Sequence, residues 1–222
     1  MNKQILVIAP HPDDETLALG GTIAKFTTQG DNVKVLTISG HLPPLYSQEE
    51  YEVTVAEAKQ AYKILGVSEF VFFEIPATMI SEEPLSNLNK RISEIIIDYK
   101  PEIVLCPYPD RHIDHRLVFE STLVATRPIN AGREINILAA YETISETHWN
   151  APHIEPNFTP NWVVDISEQI KCKHDAFECY KSQINSFPGP RSWDAAEALA
   201  KFRGTQAGFA YGEGLQIIRM IS

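Results

Sequence analysis

The sequence has 222 residues, 44% of them hydrophobic and 22% charged, with a formal charge of −10 at pH 7. That length supports one sizeable core, so a single domain over residues 1–222 is the expected organisation. The composition excludes a disordered chain, and Lys and Arg are scattered without a basic stripe, which gives a nucleic-acid partner no electrostatic footprint.

In chain order, Gln4–Ala9 is a continuous apolar run suited to a buried strand, ended by Pro10-His11-Pro12. Apolar positions from Thr16 to Gln29 recur at helical spacing, and Gly30 follows as a stop. Asn32–Ser39 predicts a second strand. Ser47-Gln48-Glu49-Glu50 fits a capping box for a helix running to Leu65, with Gly66 past its end. Glu69–Phe73 predicts a strand, Leu85–Tyr99 a helix, Ile103–Cys106 a short buried strand and Arg116–Ala125 a helix. After the strand Ile135–Tyr141, the polar Glu142–Pro160 reads as a long surface loop. Helices over Ser167–Ser182 and Trp193–Phe202 and a strand over Leu215–Met220 complete the chain. This alternation predicts an α/β, Rossmann-like, doubly wound and mostly parallel sheet with helices on both faces.

No apolar stretch approaches the roughly 20 residues that a membrane helix requires. The opening MNKQILVIAP reads as a strand, not as a signal segment. Cys106, Cys172 and Cys179 form no CxxC pair and leave an odd thiol, which favours a reducing compartment over a thiolate metal site or disulfides. A cytoplasmic protein is the expectation. Its oligomeric state is left open, a homo-oligomer included.

Open α/β sheets place ligands outside the carboxyl ends of their strands. Two such ends carry chemistry. His11-Pro12-Asp13-Asp14-Glu15 follows the first strand, and Tyr108-Pro109-Asp110-Arg111-His112-Ile113-Asp114-His115 follows the Ile103–Cys106 strand. An imidazole and a carboxylate three residues apart can face one metal where a loop turns into a helix. A third ligand from the other segment would leave one position open for water, as in catalytic zinc sites. The blander readings are acidic residues complementing a helix N-terminus for Asp13, Asp14 and Glu15, and helix capping for Asp114. Taken jointly, the two segments favour a metal site.

His11-Pro12-Asp13-Asp14-Glu15, Leu19-Gly20-Gly21-Thr22, His112-Ile113-Asp114-His115 and Arg203-Gly204-Thr205-Gln206-Ala207-Gly208 with Glu213 together resemble the PIG-L (LmbE-like) family of zinc-dependent N-acetylglucosamine-type deacetylases. The resemblance implies that His11, Asp14 and His115 hold zinc, with ferrous iron an acceptable substitute. It implies Asp13 as the general base, His112 as an imidazolium stabilising the oxyanion, and Asp114 as the carboxylate orienting His112. The implied substrate is a small N-acylated amino-sugar or its conjugate. Members of the family often carry a sugar-contacting arginine in the helix after the second strand, whereas Tyr51–Glu57 contains none. Arg111 is the candidate replacement for substrate binding. Arg191 precedes a helix that Ser192 can cap, where a structural role is favoured. Trp149 is a candidate for stacking on a sugar ring. The competing functions are a metal-dependent phosphoesterase, which would prefer two ions about 4 Å apart, and a non-catalytic sugar-binding module, which needs no base.

Overall fold

The computed structural model describes residues 2–151 and 153–222. Seven strands form one sheet: β1 (Gln4–Ala9), β2 (Asn32–Gly40), β3 (Glu69–Pro76), β4 (Ile103–Pro107), β5 (Ile137–Tyr141), β6 (Trp162–Asp165) and β7 (Gly212–Met220). Their order is β3-β2-β1-β4-β5-β7-β6. The first five are parallel to one another, while β7 lies antiparallel between β5 and β6. Sheet order reverses at β1, between β2 and β4, and that switch point is where a crevice opens.

From Ile5 to Ala9 the strand β1 is apolar and buried because both of its faces are covered. Ile5 and Val7 enter one core with α1 (Asp14–Thr28) and α2 (Gln48–Leu65). Leu6 and Ile8 enter the other with α3 (Leu85–Tyr99) and α4 (Ile113–Ala125). The predicted capping box is formed: the Ser47 side chain accepts from the Glu50 N–H, and Gly66 closes α2 with a left-handed φ of 78°. Ser192 likewise caps α6 (Trp193–Thr205), and α5 spans Ile170–Phe177.

The structure adds one strand and corrects two expectations. Strand β6 falls beyond the end of the expected loop and was not read from the sequence; it is a four-residue edge strand with only Val164 fully buried. Helix α5 is shorter than Ser167–Ser182, because the Asp165 carboxylate takes the Ser167 N–H and hydroxyl and holds a turn there. The start of the 142–160 segment is no surface loop: Glu142, Thr143, Ser145, Glu146 and Thr147 are buried. They pack behind the carboxyl ends of β4 and β5, beside the two motif segments.

Candidate functional site

The first motif turns directly out of β1 into α1. Asp13 holds a φ of 138°, a conformation that costs a residue with a Cβ about 1–3 kcal/mol. Its N–H is held by Glu15 Oε2 at 3.3 Å, and the Glu15 carboxylate in turn accepts from Tyr180 Oη at 2.6 Å and Thr16 Oγ1 at 2.8 Å. Burial, outweighing those hydrogen bonds, pushes the Glu15 carboxyl up to about 7. Glu15 therefore braces the turn that presents Asp13 and Asp14.

The second motif leaves β4, and α4 begins at Ile113, three residues earlier than expected, so Asp114 and His115 stand in its first turn. His112 is the residue that caps this helix, its Nδ1 accepting from the Asp114 N–H at 3.2 Å. Asp110 organises the approach. Its Oδ1 accepts from the His112 N–H at 2.9 Å, and its Oδ2 accepts from His115 Nδ1 at 3.0 Å and Thr147 Oγ1 at 2.9 Å.

His11, Asp14 and His115 come together, each offering one donor atom within 4.8 Å of the others' donors. His11 Nδ1 lies 3.2 Å from Asp14 Oδ2, and His115 Nε2 lies 3.3 Å from the same oxygen. The far nitrogen of each ring meets a carboxylate: His11 Nε2 meets Asp114 at 2.9 Å, and His115 Nδ1 meets Asp110. A carboxylate only accepts, so it fixes the hydrogen on that nitrogen and turns the other nitrogen inward. Asp14 Oδ1 and His115 Nε2 are both buried without a hydrogen-bond partner. Buried polar atoms are rarely left so, and two imidazoles with one carboxylate are a donor set for zinc. The residues fit the ion. Burial pulls both imidazoles down. Carboxylate hydrogen bonds outweigh it for His11, raising it to about 9, and the Asp14 charge leads the opposing effects that raise His115 to about 10. An ion here competes with those protons.

Asp13 stands beside this group, 5% exposed. Burial raises its carboxyl to about 6 against the opposing pull of Arg191, whose Nε lies 3.3 Å from Asp13 Oδ2. Arg191, expected to be structural, instead faces the site. Arg111 lines the cavity as well, its Nε 2.9 Å from Glu146 Oε2. Trp149 stays 57% exposed and lies outside the cavity lining, beneath the Arg111 guanidinium at 5.4 Å.

Two expected roles change. The Asp114 carboxylate does not orient His112; it reaches His11 and the Thr78 N–H at 2.7 Å, because the first turn of α4 aims it at the segments that follow β1 and β3. Nor is His112 held as an imidazolium. Burial first, and then the charges of His11 and His115, lower it to about 4. With Nδ1 accepting from the Asp114 N–H, the neutral ring carries its hydrogen on Nε2.

A cavity of about 210 Å³ opens over His11, Asp13, His112 and His115, bounded by Arg111, Glu146, Tyr46 and Arg191. Sequence reasoning quoted Asp110 without giving it a role, although its place at a strand end was a usable signal. Thr78, Glu146 and Thr147 carried no signal, since only the fold brings them here.

A doubly wound α/β protein with a His-Asp-His metal-binding group at its strand ends is the class defined so far. The profile described as GlcNAc-PI de-N-acetylase, PIG-L, matches residues 6–126, and the chain belongs to that family. It is 30% identical to diacetylchitobiose deacetylase of Thermococcus kodakarensis, over 97% of this chain and 83% of that one. It is 23% identical to a probable N-acetyl-alpha-D-glucosaminyl L-malate deacetylase 2 of Bacillus anthracis, over 82% of each. The solved N,N'-diacetylchitobiose deacetylase of Pyrococcus horikoshii superposes with a TM-score of 0.77 at 23% identity, covering 97% of this chain and 84% of the other, which supports the fold.

Proposed function

We propose that this chain is a metal-dependent hydrolase that removes an N-acetyl group from an amino-sugar or amino-sugar conjugate. The observation that carries it is the pair of unpartnered buried atoms, Asp14 Oδ1 and His115 Nε2, converging with His11 beneath a cavity that also holds Asp13. The relatives act on acetylated amino-sugars by name, which supports the same bond here. His11, Asp14 and His115 would hold zinc, with ferrous iron accepted by the same donors. When bound, the ion supplies a Lewis acid that polarises the acyl carbonyl and acidifies a water.

The remaining work belongs to side chains of this chain. Asp13, near 6, is ionised at neutral pH yet close enough in pKa to carry a proton both ways. Its carboxylate takes the proton from the attacking water and returns it to the leaving amine nitrogen. His112 donates Nε2–H to the acyl oxygen as charge develops there. Asp114 and Asp110 act on the ligand rings, holding His11 and His115 in the tautomers that face the ion. The substrate is a small molecule, and among the described residues no helix is long and apolar enough to cross a membrane. The free thiols Cys106, Cys172 and Cys179 suit a cytoplasmic setting.

A two-ion phosphoesterase is disfavoured by the donors. The second possible ligand group, His11 with His112 and Asp114, reuses His11 and draws on a carboxylate already engaged by His11 and Thr78. The test is incubation of zinc-loaded protein with N-acetylglucosamine conjugates, with acetate and free amine measured together. Equimolar release supports the proposal. Phosphate release from phosphomonoesters, or sugar binding without turnover, would replace it with the phosphoesterase or the binding module.

A further inference from the structure

The catalytic cavity does not end at Asp13. A groove of about 500 Å³ continues from it along the N-terminal end of α2, and the two share His41, Tyr46, Gln183 and Arg191. That volume is within the ordinary range for a ligand site, roughly 300–1,000 Å³. At the junction the Tyr46 ring packs 4.3 Å from the His41 ring and remains 37% exposed. An amphipathic ring in that position suits the carbon face of a pyranose.

The charges along this path follow one rule: each cation already has a carboxylate of the chain. Arg191 lies against Asp13 and Arg111 against Glu146. The N-terminus of α2, otherwise attractive to anions, is closed by its own Glu50, whose Oε2 accepts from the Ser47 N–H at 2.7 Å. Glu49, exposed, adds another carboxylate to the same wall. No lysine lines either space among the described residues. Burial first, and then the charges of His11 and Arg191, lower the His41 pKa, which disfavours an imidazolium there. A carboxylate or phosphate substituent entering the groove would meet Glu49 and Glu50 with no unmatched cation, a repulsive element of the kind that sets specificity.

We propose that this groove is a second sugar subsite that selects uncharged saccharide substituents on the acetylated amino-sugar and rejects anionic ones. The inference rests on the deacetylase reading above, and it separates substrates that the family membership alone leaves equal.

The test compares kcat/KM of the zinc-loaded protein for N-acetylglucosamine, N,N'-diacetylchitobiose, N-acetylglucosaminyl malate and N-acetylglucosamine 1-phosphate. The disaccharide should exceed the monosaccharide about ten-fold, the worth of one good ring-stacking contact, and both anions should fall below the monosaccharide. Val53→Trp, which fills the groove from α2, should cut the disaccharide-to-monosaccharide ratio about ten-fold. Glu49→Lys should raise the anionic substrates relative to the neutral ones, with the gain fading as salt is added. A preference for malate or phosphate, or a disaccharide no better than the monosaccharide, overturns the subsite. If none of the four releases acetate, the deacetylase reading fails instead. Calorimetry of N,N'-diacetylchitobiose against N-acetylglucosamine 1-phosphate then decides the groove: tighter binding of the disaccharide, weakened by Val53→Trp, supports it, and any other order overturns it.

Discussion

Arg191, from the loop before α6, places its Nε 3.3 Å from Asp13 Oδ2, so a cation from the far end of the chain faces the carboxylate assigned as base. A positive charge at that range favours the ionised carboxylate. Arg191→Met removes it, and the Asp13 carboxyl should rise from about 6. The acid limb of the kcat/KM profile should therefore move to higher pH. Arg191→Lys should restore most of it. An unmoved acid limb in Arg191→Met would sink the electrostatic role.

Asp13→Asn keeps the shape of the side chain and the N–H contact to Glu15, and it touches none of the three ligand atoms. Zinc content should stay at the wild-type ratio while kcat falls by roughly 10²–10⁴, the usual contribution of a positioned acid–base group. Metal analysis beside acetate release measures both. Activity within ten-fold of wild type would remove Asp13 from the role of base.

The sequence made the strand ends visible because β1 and β4 are largely apolar and β2 alternates, and each stops abruptly at proline or glycine. It also placed His11, Asp14 and His115 at those ends. What it left hidden is side-chain direction within a turn. Asp114 and Asp110 lie within a few residues of both His112 and His115, and spacing does not say which ring each carboxylate meets. Starting α4 at Ile113 rather than Arg116 decides that question, and the His112 cap sets the start. Arg191 was hidden for another reason. Only the tertiary path of the 185–192 loop, held by the Asn185 N–H on the Arg191 carbonyl, carries it to Asp13.

The same geometry makes Asp110 and Asp114 measurable through metal affinity. Each fixes the far nitrogen of one ligand ring. Asp110→Asn and Asp114→Asn should each weaken zinc binding about 10–100-fold, the common effect of removing such a partner. His115→Ala should lose stoichiometric zinc altogether. Competition against a chromophoric chelator reads all three, and wild-type affinity in both Asn variants would refute the ring-orienting role.

Arg203, quoted in the family resemblance, forms a fork with Glu142: Nε to Oε1 at 2.7 Å and Nη2 to Oε2 at 2.6 Å, with His148 on Oε2 at 2.8 Å. Burial alone would raise the Glu142 carboxyl above its ordinary 4.5, but Arg203 and then His148 outweigh it and hold the group below that value. A depressed carboxyl contributes stability that is complete above the unfolded value and is lost as pH falls through the folded one. Glu142→Gln should therefore lower Tm at pH 7 and narrow the Tm difference between pH 7 and pH 4. An equal difference in both proteins would show that Glu142 contributes nothing to acid unfolding.

Lys173 and Glu213 form a buried ion pair set into α1, the helix that begins at Asp14. Lys173 Nζ donates to the Leu17 carbonyl at 2.8 Å, and Glu213 accepts the Gly21 N–H at 3.0 Å and the Thr22 N–H at 2.6 Å. Leu17 and Gly21 are partners four residues apart in a regular helix, as are Ala18 and Thr22. The ion pair therefore engages the polar groups of one helical turn directly. Lys173→Met leaves Glu213 buried and uncompensated, a change that typically costs about 3–5 kcal/mol. Adding Glu213→Gln removes the stranded charge, so the double variant should recover part of the loss. Urea unfolding of the two variants separates the stranded charge from simple loss of packing. If the double variant is no more stable than Lys173→Met, the pair acts through side-chain volume and not through charge.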